Sequence, residues 1–267
     1  MIKLILSDMD GTLLDSEGKL PPEFDAVMAR LRERGVLFAP ASGRQYDSLA
    51  ATFARYVDTF LFLSDNGTMV RRRGQELFSN VMDRRRALEI LDHAGGRTDT
   101  ISVFCGKKAA YLLRSEKPER YMDELSKYFR EIRLTDCFAA VEDEPIKTSF
   151  FTPAADAAEK LYPLMRPYAD SMQVVLASAY WVDVTNQGAN KGMAVRKIQE
   201  RMGLCPEECA AFGDYMNDKE MLESVYYSYA MENAYPEIRK TARFTTRSND
   251  EHGVMWQIGQ LLDQGLC

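Results

Sequence analysis

Two carboxylates separated by a single residue, Asp8 and Asp10, follow an apolar segment of strand length at residues 2–6. In an extended chain they point the same way, because side chains alternate with period two. Two like charges this close are stable at neutral pH if a cation bridges them or if one of them keeps a proton. Oxygen ligands of this kind suit Mg²⁺, so we expect a magnesium site here. The alternative is a plain turn, in which Asp-Gly is common.

A second pair of acids, Asp214 and Asp218, follows the apolar residues 209–212. The pattern places Asp214 at the end of a strand and Asp218 in the first turn of the next helix, where the positive helix terminus favours a carboxylate. Taken alone, the pair could simply cap that helix. Together with Asp8 and Asp10 at another strand end, it predicts a metal site made of oxygen ligands.

Two further polar residues stand at the ends of predicted elements. Ser42 follows the strand-like residues 36–39 and offers a hydroxyl and nearby backbone N–H groups for phosphate oxygens. Lys191 begins a predicted helix and supplies a point charge suited to a phosphoryl group. A lone lysine before a helix is usually a surface residue, so its assignment depends on the acids around it.

The bulk composition excludes several classes of function. The chain has 267 residues, 46% of them hydrophobic and 28% charged, which is enough for a substantial core. Its formal net charge of -6 argues against a nucleic-acid surface, and no apolar segment is long enough to span a bilayer. Five scattered cysteines indicate no disulfide framework and favour a cytoplasmic protein. The two histidines lack further ligands at zinc spacing, so zinc and histidine catalysis are poor candidates.

The elements that position these residues follow an α/β rhythm. Within about the first 65 residues the pattern predicts strand, helix, strand, helix and strand, which is typical of a doubly wound parallel sheet. The next part instead predicts adjacent strands joined by tight turns, together with helices, and then the first pattern resumes. We therefore expect an α/β fold, with a Rossmann-like core at residues 1–82 and 185–267 and an inserted α+β domain at 83–184.

The motifs, taken in order, resemble the four signature motifs of the haloacid dehalogenase superfamily of phosphatases. They read Asp8-x-Asp10-Gly-Thr, Ala41-Ser42-Gly43-Arg44, Asn190-Lys191-Gly192 and Gly213-Asp214-x-x-Asn217-Asp218. The place of the insert, together with the segments 230–234 and 248–254, resembles the Cof-type sugar-phosphatase branch of that superfamily. Serine at position 42, where threonine is commoner, keeps the hydroxyl group.

The resemblance implies a mechanism for the acids. Asp8 would attack phosphorus to form an aspartyl-phosphate, while Mg²⁺ would be held by Asp8, the main-chain carbonyl of Asp10 and Asp214. Asp10 would protonate the leaving oxygen and then activate the water that releases phosphate.

The resemblance also implies roles for the other motif residues. Ser42 and Lys191 would stabilise charge on the transferring phosphoryl group, and Asp218 would orient Lys191 or a metal-bound water. The residues assigned to substrate or phosphate binding are Gly43, Arg44, Asn66, Gly67 and Asn217. The inserted domain would be a cap that excludes water and reads the leaving group.

The leading hypothesis is a Mg²⁺-dependent phosphatase of small phosphorylated metabolites, sugar phosphates above all. It would act without nucleic acid or membrane, as a monomer or small homo-oligomer. One alternative is a phosphomutase, which uses the same aspartyl chemistry but returns phosphate to the sugar. Another is a non-catalytic protein that binds a phosphorylated ligand. A dehalogenase is disfavoured, because Asp10 suits a leaving oxygen that needs a proton.

Overall fold

The computed structural model describes residues 1–95, 97 and 99–267. The chain divides into two compact units, the first formed by Met1–Phe78 with Asn190–Cys267 and the second by Ser79–Ala189. The sequence predicted one boundary between residues 82 and 83 and the other between residues 184 and 185, and each observed boundary lies a few residues away from the predicted one. The second boundary moves because the last strand of the inserted unit continues to Asn186, where it still pairs with Met172.

The strands within the described residues are β1 (Leu4–Ser7), β2 (Leu37–Pro40), β3 (Leu61–Ser64), β4 (Met69–Arg72), β5 (Gln75–Ser79), β6 (Ile101–Gly106), β7 (Ala110–Leu113), β8 (Ile132–Thr135), β9 (Pro145–Phe151), β10 (Met172–Leu176), β11 (Trp181–Asn186), β12 (Cys209–Gly213), β13 (Tyr227–Ala230) and β14 (Phe244–Thr245). The α-helices of the same residues are α1 (Phe24–Glu33), α2 (Tyr46–Thr52), α3 (Arg84–Ala94), α4 (Met122–Tyr128), α5 (Ala157–Met165), α6 (Lys191–Met202), α7 (Lys219–Glu223), α8 (Pro236–Thr241) and α9 (Gly253–Asp263).

A five-stranded sheet in the order β14-β13-β12-β1-β2 forms the centre of the first unit. All its strand pairs are parallel, and Ser7 of β1 is level with Phe212 on one side and Pro40 on the other. Every residue of β1 and β12 is buried, as expected for strands covered on both faces. The chain segments that follow β1, β2 and β12 therefore leave the sheet at the same edge.

The short strand β3 departs from the sequence prediction, which placed it in the parallel sheet. It pairs antiparallel with β4 and belongs to a separate sheet of order β3-β4-β5. A single parallel bridge, Ala41 to Leu63, and the bond from the Ser42 amide to the Leu63 carbonyl at 3.0 Å join it to the end of β2. Its polar carboxyl end still lies beside the residues that follow β2. Strands β4 and β5 are neighbours in that sheet and are joined by a short turn at residues 73–74.

Helix α1 packs one apolar stripe into the core of the first unit. Its buried residues are Phe24, Val27, Met28 and Leu31, which have the spacing of one helix face. They belong to the same cluster as Phe38 of β2.

The inserted unit is an α+β structure built on a six-stranded mixed sheet of order β10-β11-β9-β6-β7-β8. Its pairs are antiparallel except β7 with β8, which agrees with the antiparallel or mixed sheet predicted from the tight turns. Apolar residues of α3 and α5 pack with Phe104 and Phe150 in one cluster, and Leu125 of α4 packs with Val103 and Trp181 in another. Among the described residues, we find no helix with the length and apolar character needed to cross a membrane.

Candidate active site

Lys191 joins two carboxylates from different ends of the chain. Its Nζ lies 2.5 Å from Asp8 Oδ1 and 2.6 Å from Asp218 Oδ1. The side chains of Lys191 and Asp218 have no exposed surface, and Asp8 is 7% exposed. Lys191 is the first residue of α6, and the side chain of Asn190 before it caps that helix by accepting from the Met193 amide at 2.8 Å. The lysine is therefore a buried bridge and not a surface residue.

Asp218 also fixes the loop that carries Asp214. Its Oδ2 accepts from the backbone amides of Asp214 at 3.0 Å and Tyr215 at 3.2 Å. Thr12, from the segment after β1, donates to Asp214 Oδ1 at 2.7 Å. The loops that follow the neighbouring strands β1 and β12 are thus linked through side chains.

Burial sets the ionisation of this cluster. Desolvation raises the pKa of Asp8 to about 8 against the opposing effect of Lys191, and the nearby Asp218 and Asp214 raise it further. Desolvation also raises the pKa of Asp214 to about 6. Burial alone would lower the pKa of Lys191, but the carboxylates of Asp218 and Asp8 raise it above its usual range. The lysine stays charged, while Asp8 and Asp214 are costly to ionise without a further cation.

Asp10 has a different environment from Asp8, contrary to the expectation that the two side chains point the same way. Its side chain is 63% exposed, and its Oδ1 accepts from Arg44 Nη2 at 2.6 Å. The period-two argument fails because β1 ends at Ser7, and a turn over Met9–Leu13 then begins between the two acids. Asp8 is therefore part of the buried cluster, and Asp10 is an accessible acid beside it in the chain.

The residues expected to bind phosphate lie in adjoining loops of the same unit. The backbone N–H of Asn66 donates to the Ser42 carbonyl at 2.9 Å, and the side-chain Oδ1 of Asn66 accepts from Asn217 Nδ2 at 3.2 Å. The side chain of Asn66 also lies close to Gly43, where an added Cβ would be 3.2 Å from Asn66 Nδ2. These contacts link the loops after β2, β3 and β12. Polar hydroxyl, amide and guanidinium groups of this kind are common phosphate partners.

Three carboxylates form a group that fits a divalent cation. Oxygen atoms of Asp8, Asp214 and Asp218 all lie within 4.8 Å of one another. With Lys191 as the one ammonium group of the cluster, these three acids carry an excess of two negative charges when ionised. The donor atoms are all hard oxygens, which Mg²⁺ prefers. The ligand set implied by the resemblance was Asp8, Asp214 and the main-chain carbonyl of Asp10. Asp8 and Asp214 belong to this group, and the side chain of Asp10, which that set does not use, lies with Arg44.

Comparison with known proteins places the chain in a family. The sequence model of haloacid dehalogenase-like hydrolases matches residues 5–258. The chain is a haloacid dehalogenase-like hydrolase. This confirms the resemblance to the haloacid dehalogenase superfamily drawn from the four motifs.

Characterised relatives of this hydrolase are phosphatases. It is 30% identical over 268 residues to the 5-amino-6-(5-phospho-D-ribitylamino)uracil phosphatase YbjI of Escherichia coli, covering 98% of this chain and 96% of the relative. It is 30% identical to the HMP-PP phosphatase of Serratia proteamaculans, covering 90% of this chain and 87% of the relative. The crystal structure of SMU.1108c from Streptococcus mutans superimposes with a TM-score of 0.84 at 27% identity, covering 98% of this chain and 100% of that one. The hydrolase is accordingly a phosphoric monoester hydrolase, and its α/β fold is confirmed.

Sequence reasoning gave no structural role to three polar residues of the hydrolase. Thr12 binds Asp214, as described above. Asn233 donates to the Gly11 carbonyl at 2.7 Å, and Asn249 donates to the Leu14 carbonyl at 3.0 Å. Both asparagines stand in the segments 230–234 and 248–254 that contributed to the family resemblance. That signal marked them as notable, but it could not show that they hold the turn after β1.

Substitution of Gly67 by Ala should destabilise the hydrolase more than Gly18→Ala. Both glycines have φ values that disfavour other residues, +88° and +77° respectively. A Cβ at Gly67 would lie 2.6 Å from the Asn190 carbonyl oxygen, whereas one at Gly18 would meet nothing within 4 Å. We expect Gly18→Ala to lower the free energy of unfolding by about 1–2 kcal/mol, and Gly67→Ala to cost about 1–3 kcal/mol more because of the clash. Urea denaturation of both variants checks this, and equal losses would contradict it.

Proposed function

We propose that this hydrolase is a Mg²⁺-dependent phosphatase of small phosphorylated metabolites, sugar phosphates above all, that works through an aspartyl-phosphate. The observation that supports this best is the buried bridge of Lys191 to Asp8 and Asp218, with Asp214 close by. An ammonium group held between carboxylates in a dry pocket keeps its charge and its position. Such fixed charges stabilise a transferring phosphoryl group without reorganising during the reaction.

Asp8 is the proposed nucleophile. In the first step its carboxylate oxygen attacks phosphorus, the bond from phosphorus to the substrate oxygen breaks, and Asp8 becomes an acyl phosphate. In the second step water attacks that phosphorus, phosphate leaves, and the Asp8 carboxylate is regenerated. The contact with Lys191 at 2.5 Å orients the carboxylate for the first step.

Asp10 is the proposed general acid and base. It gives a proton to the leaving oxygen in the first step and takes one from water in the second. Its exposure and its place two residues after Asp8 suit a group that must reach both a substrate and a water. Arg44 holds its carboxylate at 2.6 Å, so we propose Arg44 as the residue that positions it.

The remaining motif residues bind and neutralise the phosphate. Ser42, Asn66 and Asn217 offer hydroxyl and amide groups to its oxygens, and Lys191 supplies a full positive charge. Gly43 and Gly67 let the loops that carry these groups pack closely, against Asn66 and Asn190 respectively. Asp8 and Asp214, with the Asp10 carbonyl, would hold Mg²⁺, and Asp218 would keep Lys191 and the Asp214 loop in place. Bound Mg²⁺ supplies positive charge that offsets the excess of carboxylates and the charge of the substrate phosphate.

The substrate is proposed to be a metabolite in which phosphate is attached to a sugar or sugar alcohol. The Escherichia coli relative is named for a substrate with a phosphoribityl group on a uracil. Selection among such substrates is assigned to the inserted unit, Ser79–Ala189, because the motif residues all lie outside it.

A panel of phosphorylated metabolites tests the proposed function. Purified full-length protein is incubated with sugar phosphates, sugar-alcohol phosphates, nucleotides and phosphorylated cofactors in the presence of Mg²⁺, and free phosphate is measured. We expect release of phosphate, with the highest kcat/KM among the sugar and sugar-alcohol phosphates. Isomerised sugar phosphate without free phosphate would indicate a phosphomutase instead, and binding without turnover would indicate a ligand-binding protein.

Removal of Mg²⁺ should abolish activity and lower stability together. Chelation with EDTA is expected to stop phosphate release, and returning Mg²⁺ at about 100 times its dissociation constant should stabilise the fold by about 2.7 kcal/mol. Asp214→Asn should reduce both responses, because Asp214 belongs to the carboxylate group. The exposed Asp58→Asn is the matched control. Thermal denaturation with and without Mg²⁺ provides the measurement, and identical shifts in the two variants would exclude the proposed site.

Asp10→Asn should affect substrates according to their leaving groups. For a sugar phosphate, whose alkoxide leaves poorly without a proton, we expect kcat/KM to fall about 10²–10⁴-fold. For para-nitrophenyl phosphate, whose leaving group is stable as an anion, the loss in kcat/KM should be much smaller. The value of kcat/KM is compared because it reports the first step, whereas the second step is the same for both substrates. An equal loss of kcat/KM on the two would remove Asp10 from the role of general acid.

A further inference from the structure

A cavity with a volume of about 520 Å³ opens in the first unit, away from the acids and Lys191. It is lined by residues of α1, by the segment that leads into β2, by residues 55–60 and by the end of β4. It touches Leu37 and Phe38 at the amino end of β2, whereas Ser42 follows the carboxyl end. Five residues of extended chain span roughly 17 Å. The cavity is therefore separate from the proposed catalytic site, and its volume lies in the range typical of small-molecule pockets.

The floor of this cavity is apolar and partly aromatic. Leu31, Val36, Phe38 and Phe60 line it and are buried. The ring of Tyr56 stacks on Phe60 with a centroid distance of 4.6 Å and an interplanar angle of 11°. A surface of this kind suits a flat apolar group, because such a group covers the rings without losing hydrogen bonds to water.

The rim of the same cavity is strongly basic. It includes Arg32, Arg55, Arg72 and Arg73, and Asp25 is the one acid among the lining residues. Asp25 is already engaged, since its carboxylate accepts from Arg55 at 2.6 Å and from the Tyr56 hydroxyl. The lining residues thus have an excess of three positive charges in a chain whose formal net charge is -6. Local charge opposite to that of the whole protein indicates recognition of an anion.

Two of these arginines have no counter-ion within the part of the chain that the structure describes. Neither Arg32 nor Arg72 lies within 4.0 Å of a carboxylate oxygen there, and Arg72 Nε is a buried donor without a hydrogen-bond partner. Leaving a buried polar group unsatisfied costs about 1–3 kcal/mol. A planar guanidinium group is best satisfied by a carboxylate, sulfonate or phosphate, which accepts two parallel hydrogen bonds.

We propose that this cavity is a second ligand site that binds a small aromatic anion. The flat apolar part of the ligand would lie on the floor beside Tyr56 and Phe60, and its anionic group would bind Arg32 and Arg72. Recognition requires both parts, because the floor alone would accept neutral rings and the rim alone would accept any small anion. The proposal is independent of the phosphatase mechanism.

Two fluorescent probes that differ in a single group test this site. The anion 8-anilinonaphthalene-1-sulfonate and its uncharged counterpart N-phenyl-1-naphthylamine are titrated into the full-length folded protein. We expect one sulfonate probe to bind per chain, at least about tenfold more tightly than the uncharged probe, which corresponds to one charged hydrogen-bonding contact. Equal affinity for the two probes would overturn the proposal.

Arginine variants locate the binding. Arg32→Gln and Arg72→Gln should each weaken the sulfonate probe about tenfold and leave the uncharged probe unchanged. Arg130→Gln, at an exposed position of the inserted unit, is the matched control and should behave as wild type. Phosphate release should be unaltered in all three, which shows that they fold. Wild-type affinity in Arg32→Gln and Arg72→Gln would exclude this cavity as the site.

Discussion

Asp8→Asn should lower phosphate release at least about 10⁴-fold while the protein remains folded, since removal of a nucleophile disables the whole catalytic group. An amide cannot form the acyl phosphate, but it fills the same space. Lys191 keeps its second partner, Asp218, at 2.6 Å, so we expect the melting temperature to stay within a few degrees of wild type. Phosphate release from para-nitrophenyl phosphate and a thermal melt are the two measurements. Asp58→Asn provides the same chemical change at an exposed site and should be fully active.

Isotope labelling tests which atom of the acyl phosphate is attacked by water. A single turnover in H₂¹⁸O should release phosphate that carries one ¹⁸O and leave Asp8 unlabelled, because in the proposed second step water attacks phosphorus. Direct attack by water on the substrate would label phosphate in the same way, so the acyl phosphate must be detected separately. More useful is the acyl phosphate itself, which should appear as a phosphate adduct on acid-quenched wild-type protein and be absent from Asp8→Asn. Full activity of Asp8→Asn, or an adduct at another residue, would rule out Asp8 as the nucleophile.

Lys191→Met should be strongly destabilising as well as inactive. Methionine has a similar length, but it leaves Asp8 and Asp218 facing each other in a buried site without their shared cation. Removing one partner of a buried ion pair costs about 3–5 kcal/mol, which in a protein of this size corresponds to a fall in melting temperature of roughly 6–20 °C. We also expect a loss of at least about 10²-fold in kcat, as for other fixed groups that stabilise transition-state charge.

A neighbouring lysine on the same helix provides the control. Lys197 pairs with Glu200 at 2.9 Å on the exposed face of α6, so Lys197→Met should cost about 0–1 kcal/mol. The double variant Lys191→Met with Asp218→Asn should recover part of the lost stability, because it removes one of the two unpaired acids. Similar costs for the Lys191 and Lys197 variants would show that the buried bridge is not a strong contributor to stability.

The sequence predicted that the candidate residues follow the ends of strands, and the structure has them there, because this depends only on local pattern and on topology. Apolar segments that stop at polar residues predicted β1, β2 and β12, and parallel strands deliver their carboxyl ends to one edge. The interruption of the core by an α+β unit was also visible, as a change from long crossovers to tight turns.

What the sequence could not predict depends on geometry beyond the strands. Strand alternation gave no warning that Asp8 would turn into the core and Asp10 toward Arg44, because the turn over Met9–Leu13 begins between the two acids and ends that alternation. The complete burial of Lys191 follows from the packing of α6 against the loops after β1 and β12, which are about 200 residues apart in the chain. The separate sheet of β3 depends on its pairing with β4, which a short apolar segment does not specify.

The position of β1 between β2 and β12 bears on how the protein is made. During synthesis β2 soon becomes available to pair with β1, but β12 begins only at Cys209. A ribosome that adds 5–20 residues per second needs roughly 10–40 s to supply the intervening residues. Throughout that interval one edge of this mostly apolar strand has backbone groups without a strand partner, and such an edge is prone to pair with other chains. We therefore expect the nascent chain, rather than the finished enzyme, to be the form that depends most on chaperones.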